Sequence, residues 1–184
     1  MNGEDAMVTL LFVDIRDFTR FADRATAREA VALLNEFYGV VVPVLEAHGG
    51  HANKFLGDGV LGVFGAPVAL ADHADRAVLA AAAIAAAVGA TFGERCRVSI
   101  GVNSGLVIVG TIGGGSRFEL GVIGDPVNVA ARVEQATRTT GDAVLVTEAT
   151  RCLLDRPDLL ESRGTVELKG KHAPVPVYAL AGAR

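Results

Sequence analysis

The stretch HANKFLGDGVLGVF, residues 51–64, contains two short apolar runs on either side of Asp58-Gly59. Asp-Gly is typical of a tight turn between antiparallel strands, so this stretch predicts a β-hairpin with Asp58 at its tip. Upstream, Val8–Ile15 reads VTLLFVDI, a continuous β-branched and leucine-rich run that predicts a buried strand. Its last residues include Asp14, so two carboxylates stand at the ends of two predicted strands.

Helical patterns surround these strands. Thr26–Ala47 has apolar residues at helical spacing, and Thr26 with Glu29 forms a capping-box pattern at its start. An alanine-rich helix is expected over Ala71–Ala90, and a third helix over Gly124–Thr140, with Gly141 ending it.

The remaining segments predict further strands and one short helix. We expect a second hairpin over Arg97–Gly113 that turns at Asn103-Ser104-Gly105, then the following shorter elements: strands Phe118–Ile123, Ala143–Val146, Val166–Lys169 and Val175–Leu180, and a helix over Glu148–Leu154. Strands and helices mixed in this way are typical of an α+β protein with a mixed sheet covered by helices. We expect one domain over residues 8–180.

Composition limits the possible functions. The chain has 184 residues and a formal net charge of -4, which gives no basic surface for nucleic acid. The longest apolar run, Ala77–Ala90, is shorter than a bilayer requires, so no membrane segment is expected. Cys96 and Cys152 match no metal-binding spacing and are expected to be free thiols in a reducing, cytoplasmic environment.

Asp14 and Asp58 are candidate metal ligands. Taken singly, Asp58 is more simply explained as a turn residue and Asp14 as a residue that caps a loop. If the two strands are neighbours, the two carboxylates form a hard-oxygen pair of the kind that Mg²⁺ prefers.

Other side chains could bind a nucleotide. The segment Ile15–Thr19 offers backbone N–H groups and the Thr19 hydroxyl to a phosphate at a strand end. Asn128 and Arg132 are four residues apart and share one face of a predicted helix, where a guanidinium can bind phosphate oxygens. Lys54 is, by itself, more simply explained as a solvent-facing strand residue. The loop that ends at Arg117 is likewise more simply explained as a surface connection.

Three blocks together resemble the catalytic domain of class III adenylyl and guanylyl cyclases. They are Phe12–Thr19 (FVDIRDFT), Lys54–Gly59 (KFLGDG) and Val122–Arg132 (VIGDPVNVAAR). The resemblance extends over nearly the whole chain. It implies a ferredoxin-like α+β fold and a head-to-tail homodimer with two shared active sites.

The resemblance also implies roles for individual residues. Asp14 and Asp58, with the Ile15 backbone, would bind two Mg²⁺ or Mn²⁺ ions per site. The other implied residues would contact ATP. Lys54 and Gly121 would lie at the base, Asn128 would position the ribose, and Arg132 would stabilise the transition state. The triphosphate would be bound by Phe18, Thr19, Lys169 and Arg117.

Gly121 departs from the adenylyl pattern, in which Asp or Thr accepts a hydrogen bond from the adenine amino group. Guanylyl cyclases combine a small residue there with Glu at the lysine position, whereas this chain has Lys54. The leading hypothesis is therefore an adenylyl cyclase. The alternatives are a guanylyl or mixed-purine cyclase and an inactive regulatory nucleotide-binding domain. A diguanylate cyclase is disfavoured because the hairpin reads LGDG.

Overall fold

The computed structural model describes residues 3–114, 117–169 and 173–180. Its centre is one mixed, mainly antiparallel sheet. The eight strands are β1 (Glu4–Ile15), β2 (His51–Leu56), β3 (Gly59–Phe64), β4 (Val98–Gly114), β5 (Arg117–Ile123), β6 (Val144–Thr147), β7 (Leu160–Val166) and β8 (Val175–Leu180). Seven strands follow the order β2-β3-β1-β4-β6-β8-β7. The eighth strand, β5, pairs with β4 outside this order. Only β4 and β6 run parallel among these pairs.

Five α-helices accompany the sheet in the described part of the chain. They are α1 (Phe18–Ala22), α2 (Ala27–Ala47), α3 (His73–Phe92), α4 (Asp125–Thr140) and α5 (Glu148–Arg151). The predicted α+β class and the mixed sheet covered by helices are confirmed. The capping box is also present, because the Thr26 side chain accepts from the Glu29 N–H while the Glu29 carboxylate accepts from the Thr26 N–H.

The two faces of β1 contact different helices. Leu11 and Val13 belong to the core cluster that includes α2 and α3, whereas Val8 and Leu10 belong to a cluster with Ala130 of α4. Successive side chains in a strand point to opposite faces. Asp14 therefore shares the α4 side of the sheet with Val8 and Leu10.

Two helices are longer than the apolar run Ala77–Ala90 on which the expectation of no membrane segment rested. α2 and residues 73–95 are long and apolar enough to cross a bilayer by length and composition alone. In this fold both helices bury one side against the sheet, through Phe37 and Val41 in α2 and Ile84 and Val88 in α3. The core thus accounts for the apolar side chains on the sheet-facing side of each helix. Cys96 and Cys152 are free thiols, as expected.

The predicted hairpin at Arg97–Gly113 is wrong. This segment is one long strand, β4, and Asn103 and Ser104 lie in its middle. Their side chains are buried and hydrogen-bonded: Asn103 donates to the Pro126 carbonyl and accepts from Thr147, and Ser104 bonds with Thr9. These polar residues satisfy buried partners, so they do not form a turn.

The strand predicted at Val166–Lys169 is also placed wrongly. The strand β7 ends at Val166, and Glu167–Lys169 follow it outside the ladder with β8. The short helix α1 had no prediction. Its five residues are too few for an amphipathic repeat to be visible in the sequence.

Candidate active site

The hairpin between β2 and β3 brings Asp58 beside Asp14. Asp14 is paired with Gly59 in the β1–β3 ladder, and the Ile15 N–H donates to the Asp58 carbonyl at 3.2 Å. A Cβ on Gly59 would lie 2.7 Å from the Val13 carbonyl oxygen. Glycine is therefore required for this close approach, which fixes the two aspartates by backbone contacts.

Tyr38 of α2 holds the tip of this hairpin, and sequence reasoning missed it. Its hydroxyl donates to the Gly57 carbonyl at 2.5 Å, and its ring makes an edge contact with Phe55, with centroids 4.7 Å apart. Gly57 has φ +71°, in the left-handed region that favours glycine. The turn before Asp58 is thus anchored to a helix as well as to β1.

The electrostatic environment of Asp14 is unfavourable for an isolated carboxylate. Burial raises the pKa of Asp14 to about 6, and the neighbouring Asp58 contributes to the rise. The Oδ1 atom of Asp14 is buried and accepts no hydrogen bond. A buried carboxylate oxygen of this kind needs a cation or a proton as its partner.

The helix α4 adds two charged residues to this site that sequence reasoning missed. Arg138 lies 3.7 Å from Asp14 Oδ2 and 3.6 Å from Glu134 Oε1. Glu134 is buried, and burial, followed by the charge of Asp14, raises its pKa to about 7. The only available signal was their i, i+4 spacing on α4, which is common on solvent-exposed helices.

The residues at Asp14 fit a divalent metal. Two adjacent carboxylates and the Asp14 Oδ1 atom without a partner provide hard oxygen ligands. Across residues 3–114, 117–169 and 173–180, no cluster of three Asp, Glu, His or Cys side chains could hold a metal. Further ligands would therefore come from the Ile15 backbone, water and substrate phosphates.

The candidate base-binding residues lie elsewhere on the sheet. Lys54 Nζ donates to Glu119 Oε1 at 2.7 Å, and both side chains are about half exposed. Gly121 is two residues farther along β5, and a Cβ there would lie 1.9 Å from Ile112 Cδ1. The space beside Gly121 is thus occupied by an apolar side chain. Glu119 is an acceptor that the sequence analysis did not identify.

Arg132 and Lys169 line one cavity of about 460 Å³, together with Glu167. Arg132 is two positions before Glu134, which is about 200° around a helix. Because Glu134 faces the chain's own Asp14, Arg132 points away from that aspartate. Asn128 is exposed one turn before Arg132.

The segment predicted to bind phosphate borders a second cavity. Ile15 and Phe18 line an open cavity of about 530 Å³, which also contains five arginines: Arg16, Arg20, Arg24, Arg95 and Arg97. Thr19 is exposed on α1 and is not among its lining residues. The arginines come from two separate segments, so their convergence was not visible in the sequence. The Arg117 side chain lies outside the described residues.

Comparisons with known proteins agree with this architecture. The model of the adenylate and guanylate cyclase catalytic domain matches residues 2–182. The uncharacterized protein Rv1320c of Mycobacterium tuberculosis is 38% identical over 177 residues, which cover 95% of this chain but only 31% of Rv1320c. The chain thus spans about a third of that relative's length.

Two solved structures represent both substrate types. The adenylyl cyclase CyaB from P. aeruginosa has a TM-score of 0.89 and 26% identity, and the match covers all of this chain and 98% of CyaB. The guanylyl cyclase Cya2 has a TM-score of 0.83 and 33% identity, covering all of this chain and 96% of Cya2. The chain belongs to the adenylate and guanylate cyclase catalytic domain family, and it is a nucleotide cyclase domain.

Proposed function

We propose that this domain is an adenylyl cyclase, which converts ATP to 3′,5′-cyclic AMP and pyrophosphate. The observation that carries the choice of adenine is Lys54, which stands where guanylyl cyclases have Glu and which pairs with Glu119 at 2.7 Å. A lysine only donates hydrogen bonds and a carboxylate only accepts them. Together they complement the adenine edge, where N1 accepts and the amino group donates.

Asp14 and Asp58 would hold the catalytic metal ions, Mg²⁺ or Mn²⁺, with two ions per active site. Cyclases of this family generally depend on divalent metals. When bound, such ions supply Lewis-acid stabilisation to the 3′-oxygen and to the phosphates. The contribution of the chain itself is geometric: the Asp14–Gly59 pairing and the hydrogen bond from the Ile15 N–H to the Asp58 carbonyl fix the backbone of both aspartates before substrate arrives.

The remaining roles follow from placement and charge. Asn128 would orient the ribose, so that the 3′-hydroxyl faces the α-phosphate. Arg132 would bind the charge that develops at phosphorus, and Lys169, in the same cavity, would bind the triphosphate. The backbone of Ile15, Phe18 and Thr19, next to the arginine-lined cavity, would bind the outer phosphates. Arg117 is a further candidate for that contact.

The active site would be shared between two copies of the chain in a head-to-tail homodimer. Arg132 points away from the chain's own Asp14, so one chain alone does not bring them together. A cluster on β1, β4 and β5 also exposes large apolar side chains: Met7, Leu106, Ile108, Ile112 and Ile123. Ile108 pairs with Ile123, and Gly110 pairs with Gly121, so this apolar face adjoins the base-binding residues. A second copy would cover it and complete the site.

A direct test compares the turnover of ATP and GTP by the purified domain, with Mg²⁺ and with Mn²⁺. The expected result is a higher kcat/KM for ATP with both metals. A higher kcat/KM for GTP would overturn the adenine assignment and leave the cyclase assignment intact. Absence of any cyclic nucleotide would instead favour a regulatory nucleotide-binding domain.

A mixed-purine cyclase is the second candidate, and Glu119 is the observation that favours it. Its carboxylate could also accept from the N1–H and the 2-amino group of guanine, while Lys54 donates to the guanine O6. Gly121 adds no side chain that would reject guanine. Comparable kcat/KM values for ATP and GTP would support this second candidate.

A further inference from the structure

Arg138 lies between two carboxylates without a hydrogen bond to either. Its Nη2 atom is 3.7 Å from Asp14 Oδ2 and 3.6 Å from Glu134 Oε1, and both distances exceed hydrogen-bond length. This Glu134 Oε1 atom is buried without a hydrogen-bond partner, and so is the second oxygen of Asp14, Oδ1. One guanidinium therefore serves two incompletely satisfied carboxylates.

We propose that Arg138 is a mobile counter-charge that sets the metal affinity of Asp14 and Asp58. It neutralises Asp14 while the metal is absent, and Glu134 holds it when a divalent cation binds. Arg138 is thus a positioning residue for the metal site. This inference rests on the metal site given under Proposed function.

The geometry permits this exchange without movement of the backbone. Glu134 and Arg138 are one turn apart on α4, so a change of side-chain torsions is enough to move the guanidinium between partners. The Arg138 side chain is 44% exposed, which leaves it room to move, whereas the Glu134 side chain is only 5% exposed. Glu134 is therefore the fixed partner and Arg138 the moving one.

The charges determine the direction of the exchange. A divalent cation at Asp14 and Asp58 repels a guanidinium that lies against Asp14. Arg16, the other nearby cation, is held in place because it donates to the Ser99 hydroxyl at 3.2 Å and to the Asp142 carbonyl at 3.0 Å. Of these two cations, Arg138 is the one that can move away, and the ionised Glu134 is the partner that receives it.

The test measures the affinity of the nucleotide-free domain for Mn²⁺ at pH 8. Electron paramagnetic resonance reports the concentration of free Mn²⁺ during the titration. Arg138→Gln removes the competing positive charge and is expected to tighten Mn²⁺ binding by about threefold to tenfold. Glu134→Gln removes the receiving carboxylate, leaves Arg138 on Asp14, and is expected to weaken binding by a similar factor. A role limited to packing would not give opposite signs.

Two controls separate charge from general damage. Arg138→Lys keeps the charge and is expected to bind Mn²⁺ nearly as the parent does. Arg151→Gln removes a surface arginine that pairs with Glu148 on α5, and no change in Mn²⁺ affinity is expected. Near-ultraviolet circular dichroism of each variant verifies that the fold is retained.

The outcomes distinguish this inference from the proposed function. If the parent binds no Mn²⁺, or if Asp14→Asn leaves its Mn²⁺ binding unchanged, the proposed metal site is wrong. The role of Arg138 is then wrong as well. If that Mn²⁺ is bound and Arg138→Gln binds equally or more weakly, only the role of Arg138 is overturned. Equal weakening by Arg138→Gln and Glu134→Gln also overturns it.

Discussion

The two ends of the proposed nucleotide site are built differently. The metal end consists of Asp14 and Asp58, whose backbone is fixed by strand pairing and by a hydrogen bond from Ile15, with Glu134 buried beside them. The base end consists of Lys54 and Glu119, which are half exposed and held by one ion pair. Buried charges on a rigid backbone carry large energies, whereas exposed ion pairs contribute little. The chemistry should therefore tolerate little change, and the choice of base should be adjustable.

The largest effect is expected at Asp14. Asp14→Asn keeps the shape of the side chain but removes its charge, so cyclase activity should fall by about a thousandfold or more. Activity with Mn²⁺ and ATP is the measurement, and Asp158→Asn, at a surface pair with Arg156, is the matched control. Activity within tenfold of the parent would contradict a metal role for Asp14.

A somewhat smaller effect is expected at Arg132. Arg132→Ala should lower kcat by about a hundredfold to a thousandfold, because the guanidinium acts on charge that develops in the transition state. Steady-state kinetics separates kcat from KM, and Arg156→Ala serves as a surface control. An increase in KM with kcat unchanged would mean that Arg132 binds substrate only.

These residues also show what the sequence could predict. The α+β class, the hairpin at Asp58 and the capping box were predictable, because local periodicity and turn chemistry determine them. Glu134 and Arg138 were not, because their meaning depends on which face of α4 contacts β1. The long strand β4 was missed because Asn103 and Ser104 resemble turn residues until their buried partners are known.

Glu119 and Tyr38 were missed for a related reason. Glu119 is 65 residues from Lys54 in the chain, and its ion pair exists only because β5 folds back on β4. Tyr38 reaches Gly57 from the helix α2. Long-range contacts of this kind are set by tertiary packing, which a single sequence does not reveal. Motif resemblance, in contrast, selected Asp14, Asp58 and Lys54 as candidates directly.

A moderate effect is expected in the pH dependence of stability without metal. Because burial raises the pKa of Glu134 to about 7 from its usual value near 4.5, the folded state holds this proton more tightly than the unfolded state. The contribution of Glu134 to stability is therefore present below about pH 4.5 and is lost as the pH rises through 7. Asp14 acts in the same direction up to about pH 6.

Thermal unfolding of Glu134→Gln measures this effect. From pH 5 to pH 8, the free energy of unfolding should decrease by about 1–2 kcal/mol less in the variant than in the parent. This difference corresponds to a few degrees in Tm. Added Mn²⁺ should reduce the difference by neutralising the carboxylates. If Tm depends on pH in the same way in the parent and the variant, ionisation of Glu134 does not destabilise the folded state.

The smallest effect is expected at the base end. Glu119→Gln keeps an acceptor oxygen but weakens the pair with Lys54, so the ratio of kcat/KM for ATP and GTP should change by about twofold to fivefold. Total turnover should change little, since Glu119 would contact the base and not the metal ions. A change above a hundredfold would mean that base recognition is as rigid as the metal end.

The central claim, one site built from two chains, is tested most directly by mixing two inactive variants. Asp14→Asn and Arg132→Ala each damage a different half of the site, so a mixed dimer retains one intact site. Equal amounts should recover about a quarter of parental activity, because about half of the dimers are mixed and each has one working site. Mixing Asp14→Asn with Asp58→Asn, which damage the same half, should recover nothing. Failure of the first mixture, with mixed dimers demonstrated by cross-linking, would contradict the shared site.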